Sequence, residues 1–181
     1  AEHLVLLSGG SGITPVLSML RALVDARHQG PVTFVHYGFT ADDICYRVEL
    51  PRLIAELPQG RLLIGLTDEP GVGDLDGFFD AGHLAAITDD PAGAQVYLCG
   101  PAPLMASVEA VFADLDLADR VHLERFGPAP VDPSIEVGDG AITFARSGAV
   151  APSVGTVLET AEAAGLTPAF GCRRGICGTC T

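Results

Sequence analysis

The chain has 181 residues, with ten Arg, no Lys and a formal charge of −13, which argues against nucleic acid or an anionic membrane as partner. Gly and Pro together make 35 of the 181 residues and 48% are apolar, so a turn-rich globular chain is expected rather than a disordered one. At about 150 residues per domain the length allows one domain and a fraction, and no apolar run reaches the roughly 18 residues of a membrane helix, so a soluble, cytoplasmic protein without a membrane span is expected.

Ala1 leads almost directly into an apolar strand, with neither initiator Met nor signal peptide, and the chain stops at Thr181, one residue after a Cys. An excerpt of a longer protein is therefore expected. The acidity belongs to the first part: up to Gly127 the charge is −11, and beyond it −2.

Short apolar runs predict strands at Leu4–Leu7, Val32–Tyr37, Leu62–Leu66, Val96–Cys99 and Val121–Leu123. Between the first two, Val16, Leu17, Leu20, Leu23 and Val24 form the stripe of an amphipathic helix, with Thr14 expected as N-cap ahead of Pro15. Leu104, Val108, Val111, Phe112 and Leu115 repeat that stripe after the fourth strand. Strand–helix alternation implies an α/β fold, a five-stranded parallel sheet with helices on both faces. Cys45, after Asp42-Asp43 in a helical stretch, is expected to be a small core residue.

Three Pro between Gly127 and Pro133 break this pattern, so residues 1–127 read as one domain, 128–133 as a semi-rigid linker and 134–181 as part of a second domain. Beyond the linker, Ile142–Arg146 and Ala149–Pro152, split by Ser147-Gly148, predict a hairpin. Thr156 and Glu159 form a capping-box pair opening a short helix that Gly165 closes.

Four constellations carry chemistry. Ser8-Gly9-Gly10-Ser11-Gly12-Ile13-Thr14-Pro15 joins the first strand to the first helix, the position where α/β sheets bind nucleotides. Glycines admit a pyrophosphate to the backbone, and the helix N-terminus offers free N–H groups. The spacing is not GxGxxG, and a chain without Lys cannot form a P-loop; taken alone, the loop reads equally well as a ligand-free turn. Cys99-Gly100-Pro101 ends the fourth strand at the same sheet edge, where a buried strand-end Cys is the plainer reading. In Val121-His122-Leu123-Glu124-Arg125-Phe126, alternation puts His122, Glu124 and Phe126 on one face. Cys172, Cys177 and Cys180 have the Cys-x4-Cys-x2-Cys spacing of three ligands of a plant-type [2Fe–2S] site; zinc or a disulfide does not account for the four-residue gap. The five His show no metal spacing, and there is no Gly-x-Ser-x-Gly elbow.

Together the Gly-rich loop, the Cys-Gly-Pro turn and the Glu-Arg-Phe end resemble the pyridine-nucleotide domain of ferredoxin–NAD(P) reductase-like flavoproteins over residues 1–127. The resemblance implies that Gly9, Gly10, Ser11, Gly12, Thr14 and Pro15 hold the pyrophosphate, with Thr14 beside the nicotinamide. It also implies that Cys99, with Gly100 and Pro101, sits near the nicotinamide carbon that gives up hydride, and that Glu124 and Phe126 border the flavin. The hairpin, capped helix and cysteine loop resemble the front half of a plant-type ferredoxin, an α+β (β-grasp) domain whose fourth ligand lies outside these residues.

A nicotinamide domain followed by a ferredoxin resembles the reductase components of bacterial oxygenases and desaturases, of the phthalate dioxygenase reductase type. That implies electrons passing from NADH through a flavin (FMN or FAD, held by an upstream domain) to a [2Fe–2S] cluster, and on to an oxygenase, cytochrome or desaturase. In this family cations after the second and third strands select the NADP 2′-phosphate. Here those stretches read Gly38-Phe39-Thr40 and Thr67-Asp68-Glu69, which favours NADH over NADPH, although Arg47 and Arg52 follow. Arg173 and Arg174 are expected beside the cluster, helping to dock an acidic partner. Two other readings stand: a nucleotide-binding module without catalysis of its own, and a segment of a fused self-sufficient monooxygenase.

Overall fold

The computed structural model describes residues 2–125 and 140–169. The chain divides into two compact units, Ala1–Phe126 and Gly127–Thr181.

The first unit is built on β1 (His3–Gly9), β2 (Val32–Gly38), β3 (Gly60–Leu66), β4 (Leu75–Asp76), β5 (Ala94–Cys99) and β6 (Val121–Leu123). They form one sheet in the order β4-β3-β2-β1-β5-β6, every neighbouring pair parallel. The sheet thus has six strands rather than five. The added β4 is two residues long, too short to show a period, and exists only because Gly65 and Leu66 of β3 pair with it.

Four helices cover the sheet: α1 (Ile13–Asp25), α2 (Glu49–Ala55), α3 (Ala81–Ile87) and α4 (Ala102–Asp114). Alternation along the strands sorts the core into two layers. Leu6, Val32 and Phe34 pack with Val16, Leu17 and Leu20 of α1 and Leu50 and Ile54 of α2. Val5, Leu7, Val35, Val96 and Leu98 pack on the other face with Leu84 and Ile87 of α3 and Met105, Val108 and Phe112 of α4. Leu115, expected on the α4 stripe, lies past the helix end and is exposed, while Met105 takes a core position.

Two local expectations are corrected. Thr14 is not the N-cap: a 3-10 turn over Gly10–Gly12 runs straight into α1, so Thr14 is already the second helical residue. Pro15 is tolerated there because first-turn N–H groups have no intrahelical acceptor to lose. Cys45 is not in a helix and not in the core; it is exposed, between a 3-10 turn at Ala41–Asp43 and the start of α2 at Glu49. The Asp42-Asp43 pair closes its turn through a Thr40–Asp43 capping box, which ends the helical run before Cys45.

In the second unit, β7 (Ala141–Phe144) and β8 (Ala149–Pro152) form an antiparallel hairpin. Its first strand stops two residues before the expected Arg146, because residues 145–148 make the turn. The helix α5 (Val157–Ala163) starts from the expected capping box: Glu159 N–H donates to Thr156 Oγ1 at 3.2 Å, and Thr156 N–H donates to Glu159 Oε2 at 2.8 Å. Gly165, at φ +76°, follows its C-cap Ala164.

Candidate functional site

Sheet order reverses between β1 and β5: β2 lies on one side of β1, and β5 on the other. Such a switch point leaves a crevice at the carboxyl ends of the two strands. Two of the motifs converge there. Gly12 rests on the Cys99–Gly100 peptide so closely that a Cβ at Gly12 would lie 2.3 Å from the Cys99 carbonyl oxygen. Only glycine permits that approach, and through it the glycine turn and the Cys-Gly-Pro turn become one surface.

Gly10 has φ +52°, and a Cβ there would meet nothing within 4 Å, so the turn bends through the left-handed region and opens outward. Neither Gly9 nor Gly12 supplies a side-chain cap, and the first turn of α1 holds no acidic residue. In a chain with 23 acids the start of α1 therefore carries a partial positive charge that no side chain compensates, although the Ile13 N–H is taken by the Gly10 carbonyl. These features suit an anionic group, and the backbone is open to solvent over Gly10. Ser11 and Thr14 are exposed beside it, with Thr14 Oγ1 donating to the Ser11 carbonyl at 3.2 Å.

A cleft of about 220 Å³ opens next to this turn. Pro15, Met19, Tyr97, Cys99, His122 and Glu124 line it, so Cys99 and Glu124 share a cavity with the start of α1. Cys99 is 1% exposed, and Glu124, just past β6, is exposed and donates its N–H to the Leu98 carbonyl at 2.9 Å. Burial pushes the Cys99 thiol above its ordinary range, and the Glu124 carboxylate pushes the same way. Both effects keep the sulfur protonated, which suits a packing and contact role and disfavours a thiolate nucleophile.

On the far side of β1, Thr67 and Asp68 leave the end of β3 beside the end of β2. Thr67 N–H donates to Gly38 O at 3.2 Å and Asp68 N–H to Phe39 O at 2.9 Å. Asp68 is exposed and takes the Thr67 hydroxyl on Oδ1 at 2.8 Å. Glu69 turns inward to accept the Ala41 N–H at 2.7 Å, so of the two acids only Asp68 faces outward. Arg47 is engaged with the Ala41 carbonyl at 3.2 Å and lies 3.6 Å from Asp42. Arg52 sits in the last turn of α2, which runs back toward the amino ends of the strands and away from this edge.

Tyr97 and Met19 are site-lining residues beyond the motifs, and His122 of the third motif lines the cleft beside Glu124. Tyr97 stacks on His122, ring centroids 4.9 Å apart, and period-2 alternation from Cys99 along β5 is the sequence signal for it. A larger cleft of about 260 Å³, between α2, β3 and Val72–Asp74, holds none of the motif residues. Phe126, Cys172, Cys177 and Cys180, with Arg173 and Arg174, lie outside the described residues. Among the described residues no His, Cys, Asp or Glu cluster could hold a metal, and no helix is long and apolar enough to cross a membrane.

Comparison with known proteins agrees with this geometry. The chain is 35% identical over 179 residues to an NADPH oxidoreductase of Mycobacterium tuberculosis, covering 98% of this chain and 45% of that one. It is 36% identical over 188 residues to the phenoxybenzoate dioxygenase subunit beta of Ectopseudomonas oleovorans, covering 99% of this chain and 52% of the relative. It thus spans about half the length of these curated relatives. The flavohemoglobin of Malassezia yamatoensis, solved with bound FAD and heme, superposes at TM-score 0.63 with 31% identity, over 70% of this chain and 32% of that one. Residues 6–110 match the family model described as oxidoreductase NAD-binding domain, and the chain belongs to that family.

Proposed function

We propose that this chain is the nicotinamide-binding part of an oxygenase-type reductase, and that it takes NADH in preference to NADPH. The observation that carries the reading is the convergence, at one switch point, of a helix start without side-chain cap or acid, an open glycine turn, and a cleft shared by Cys99 and Glu124. Reductase-subunit relatives support it: the glycine betaine monooxygenase reductase subunit of Pseudomonas aeruginosa is 30% identical over 99% of this chain, so the likeness runs through both units.

When bound, the nicotinamide supplies a hydride and a flavin accepts it. The chain's own residues bind and orient. The Gly10–Gly12 turn and the start of α1 hold the pyrophosphate, and Pro15, Cys99 and Glu124 border the nicotinamide end of the cleft. The neutral Cys99 thiol packs there without adding a competing negative charge. In the second unit Cys172, Cys177 and Cys180 have the spacing to hold three corners of a [2Fe–2S] cluster. Held there, such a cluster would supply one-electron transfer to an oxygenase, cytochrome or desaturase.

Exposed Asp68 supports the NADH preference. A carboxylate accepts hydrogen bonds from a ribose 2′-hydroxyl and repels a 2′-phosphate. The related M. tuberculosis protein bears the name NADPH oxidoreductase, so the preference stands on Asp68 of this chain. Steady-state kinetics of the full-length protein test it: KM for NADH is expected to be the lower, and Asp68→Arg is expected to narrow or reverse the ratio. A lower KM for NADPH in the unaltered protein refutes the preference. A visible spectrum without flavin and [2Fe–2S] bands refutes the reductase assignment in favour of a nucleotide-binding module.

A further inference from the structure

Ser8 and His36, at the carboxyl ends of β1 and β2, are both 0% exposed. They share a face of the sheet with Leu6 and Phe34, two residues earlier in the same strands, which pack in the apolar layer under α1 and α2. Ser8 lies opposite His36 on one side and opposite Cys99 on the other. A row His36–Ser8–Cys99 therefore crosses the three central strands immediately before the glycine turn.

Ser8 Oγ lies 2.9 Å from His36 Nδ1 and 3.3 Å from the Val35 carbonyl oxygen. Both contacts are made when the hydroxyl donates to Val35 and Nδ1–H donates to Oγ. That tautomer leaves the Nε2 lone pair buried, and Nε2 has no partner among the described residues. Burial holds the imidazole at about 4, against an ordinary 6.5, so the pair is neutral at physiological pH. An orphaned buried acceptor costs stability, and two apolar side chains of similar shape would fill the same space without it. A polar pair kept at such a cost, one residue from a ligand turn, points to a functional demand.

We propose that Ser8 and His36 are positioning residues for the dinucleotide site. Their hydrogen bond locks the end of β1, from which the glycine turn springs, to the end of β2. On the other side Gly12 seats the same turn on the Cys99–Gly100 peptide of β5. Hydrogen bonds are directional, so the pair sets both the distance and the rotation of the turn, which apolar packing leaves looser. The proposal rests on the glycine turn being the pyrophosphate site.

The test compares full-length wild-type protein with Ser8→Ala/His36→Leu, His36→Asn and the core variant Phe112→Leu, by NADH titration calorimetry and thermal unfolding. The double variant is expected to melt no lower than wild type yet to bind NADH about tenfold more weakly, since small misplacements of binding groups are costly. His36→Asn, which keeps an N–H near the Nδ1 position, is expected to stay within about threefold of wild type. Wild-type affinity in the double variant overturns the proposal. So does a double variant that melts as low as Phe112→Leu and loses no more affinity than Phe112→Leu does, because affinity would then only follow stability. If the wild-type protein does not bind NADH, the pyrophosphate reading falls and takes this proposal with it; an unaffected double variant sinks this proposal alone.

Discussion

The two units are stabilised at different ranges. In the first, two apolar layers on either side of a six-stranded sheet bury side chains brought together from across 120 residues of chain. In the second, the buried residues among those described are Ala151, Thr160 and Ala161, while Val150, Val154 and Val157 are exposed. What orders its described elements is local: a four-residue hairpin turn and a capping box whose partners are three residues apart. Neighbouring segments of one chain thus depend on different physics, and the candidate residues of the switch-point cleft belong to the unit with long-range order.

Three perturbations sharpen that contrast. The largest is pH. All five histidines belong to the first unit, and burial depresses His36 to about 4 and lowers His3 as well, the latter helped by Arg61. Between pH 6.5 and about 4 the unfolded chain binds a proton at His36 that the folded chain refuses, so stability is full above 6.5 and falls as the pH drops through that window. The loss at His36 is expected to be roughly 3 kcal/mol. Denaturant unfolding followed by β-sheet circular dichroism across the window measures it; a flat profile contradicts the buried neutral imidazole.

Gly12→Ala comes next. Its Cβ meets the Cys99 peptide, the backbone must shift, and about 2 kcal/mol of stability is expected to go. NADH binding falls with it, because the clash lies between the two turns that form the site. Calorimetric melting and NADH titration on one sample measure both, and unchanged affinity would separate the turn from the ligand. The smallest effect belongs to the second unit: Thr156→Ala removes the hydroxyl of the α5 capping box at a cost of about 1 kcal/mol. Hydrogen exchange is expected to rise in residues 157–163, with NADH affinity unchanged. A change in NADH affinity would show that the two units are coupled.

Much of the first unit was legible because short apolar runs mark strands buried on both faces and helix stripes are strong periodic signals. The glycine turn was legible for a similar reason, since closely spaced Gly between a strand and a helix marks a bend the backbone must make. The exact start of α1 was not. Thr14 before Pro15 looks like a cap, yet the 3-10 turn at Gly10–Gly12 begins the helix earlier and leaves no room for one. Cys45 was misplaced because Asp42 and Asp43 read as a helix opening, and the Thr40–Asp43 capping box satisfies them in a single turn. Glu69 and Asp68 are equivalent acids in sequence. Only the Ala41 N–H, 28 residues away, turns Glu69 aside and leaves Asp68 to face outward.

By itself the sequence determined what depends on neighbours within one or two turns of chain: strand and helix periods, the glycine bend, the hairpin and the α5 capping box. Tertiary structure alone decided β4, which needs the end of β3 to pair with, the cleft shared by Cys99 and Glu124, and the row His36–Ser8–Cys99. Ser8 meets His36 across 28 residues, and stands opposite Cys99, only because parallel register aligns the three strand ends. Register is set by the packing of whole faces against α1 and α2, and no local spacing encodes it.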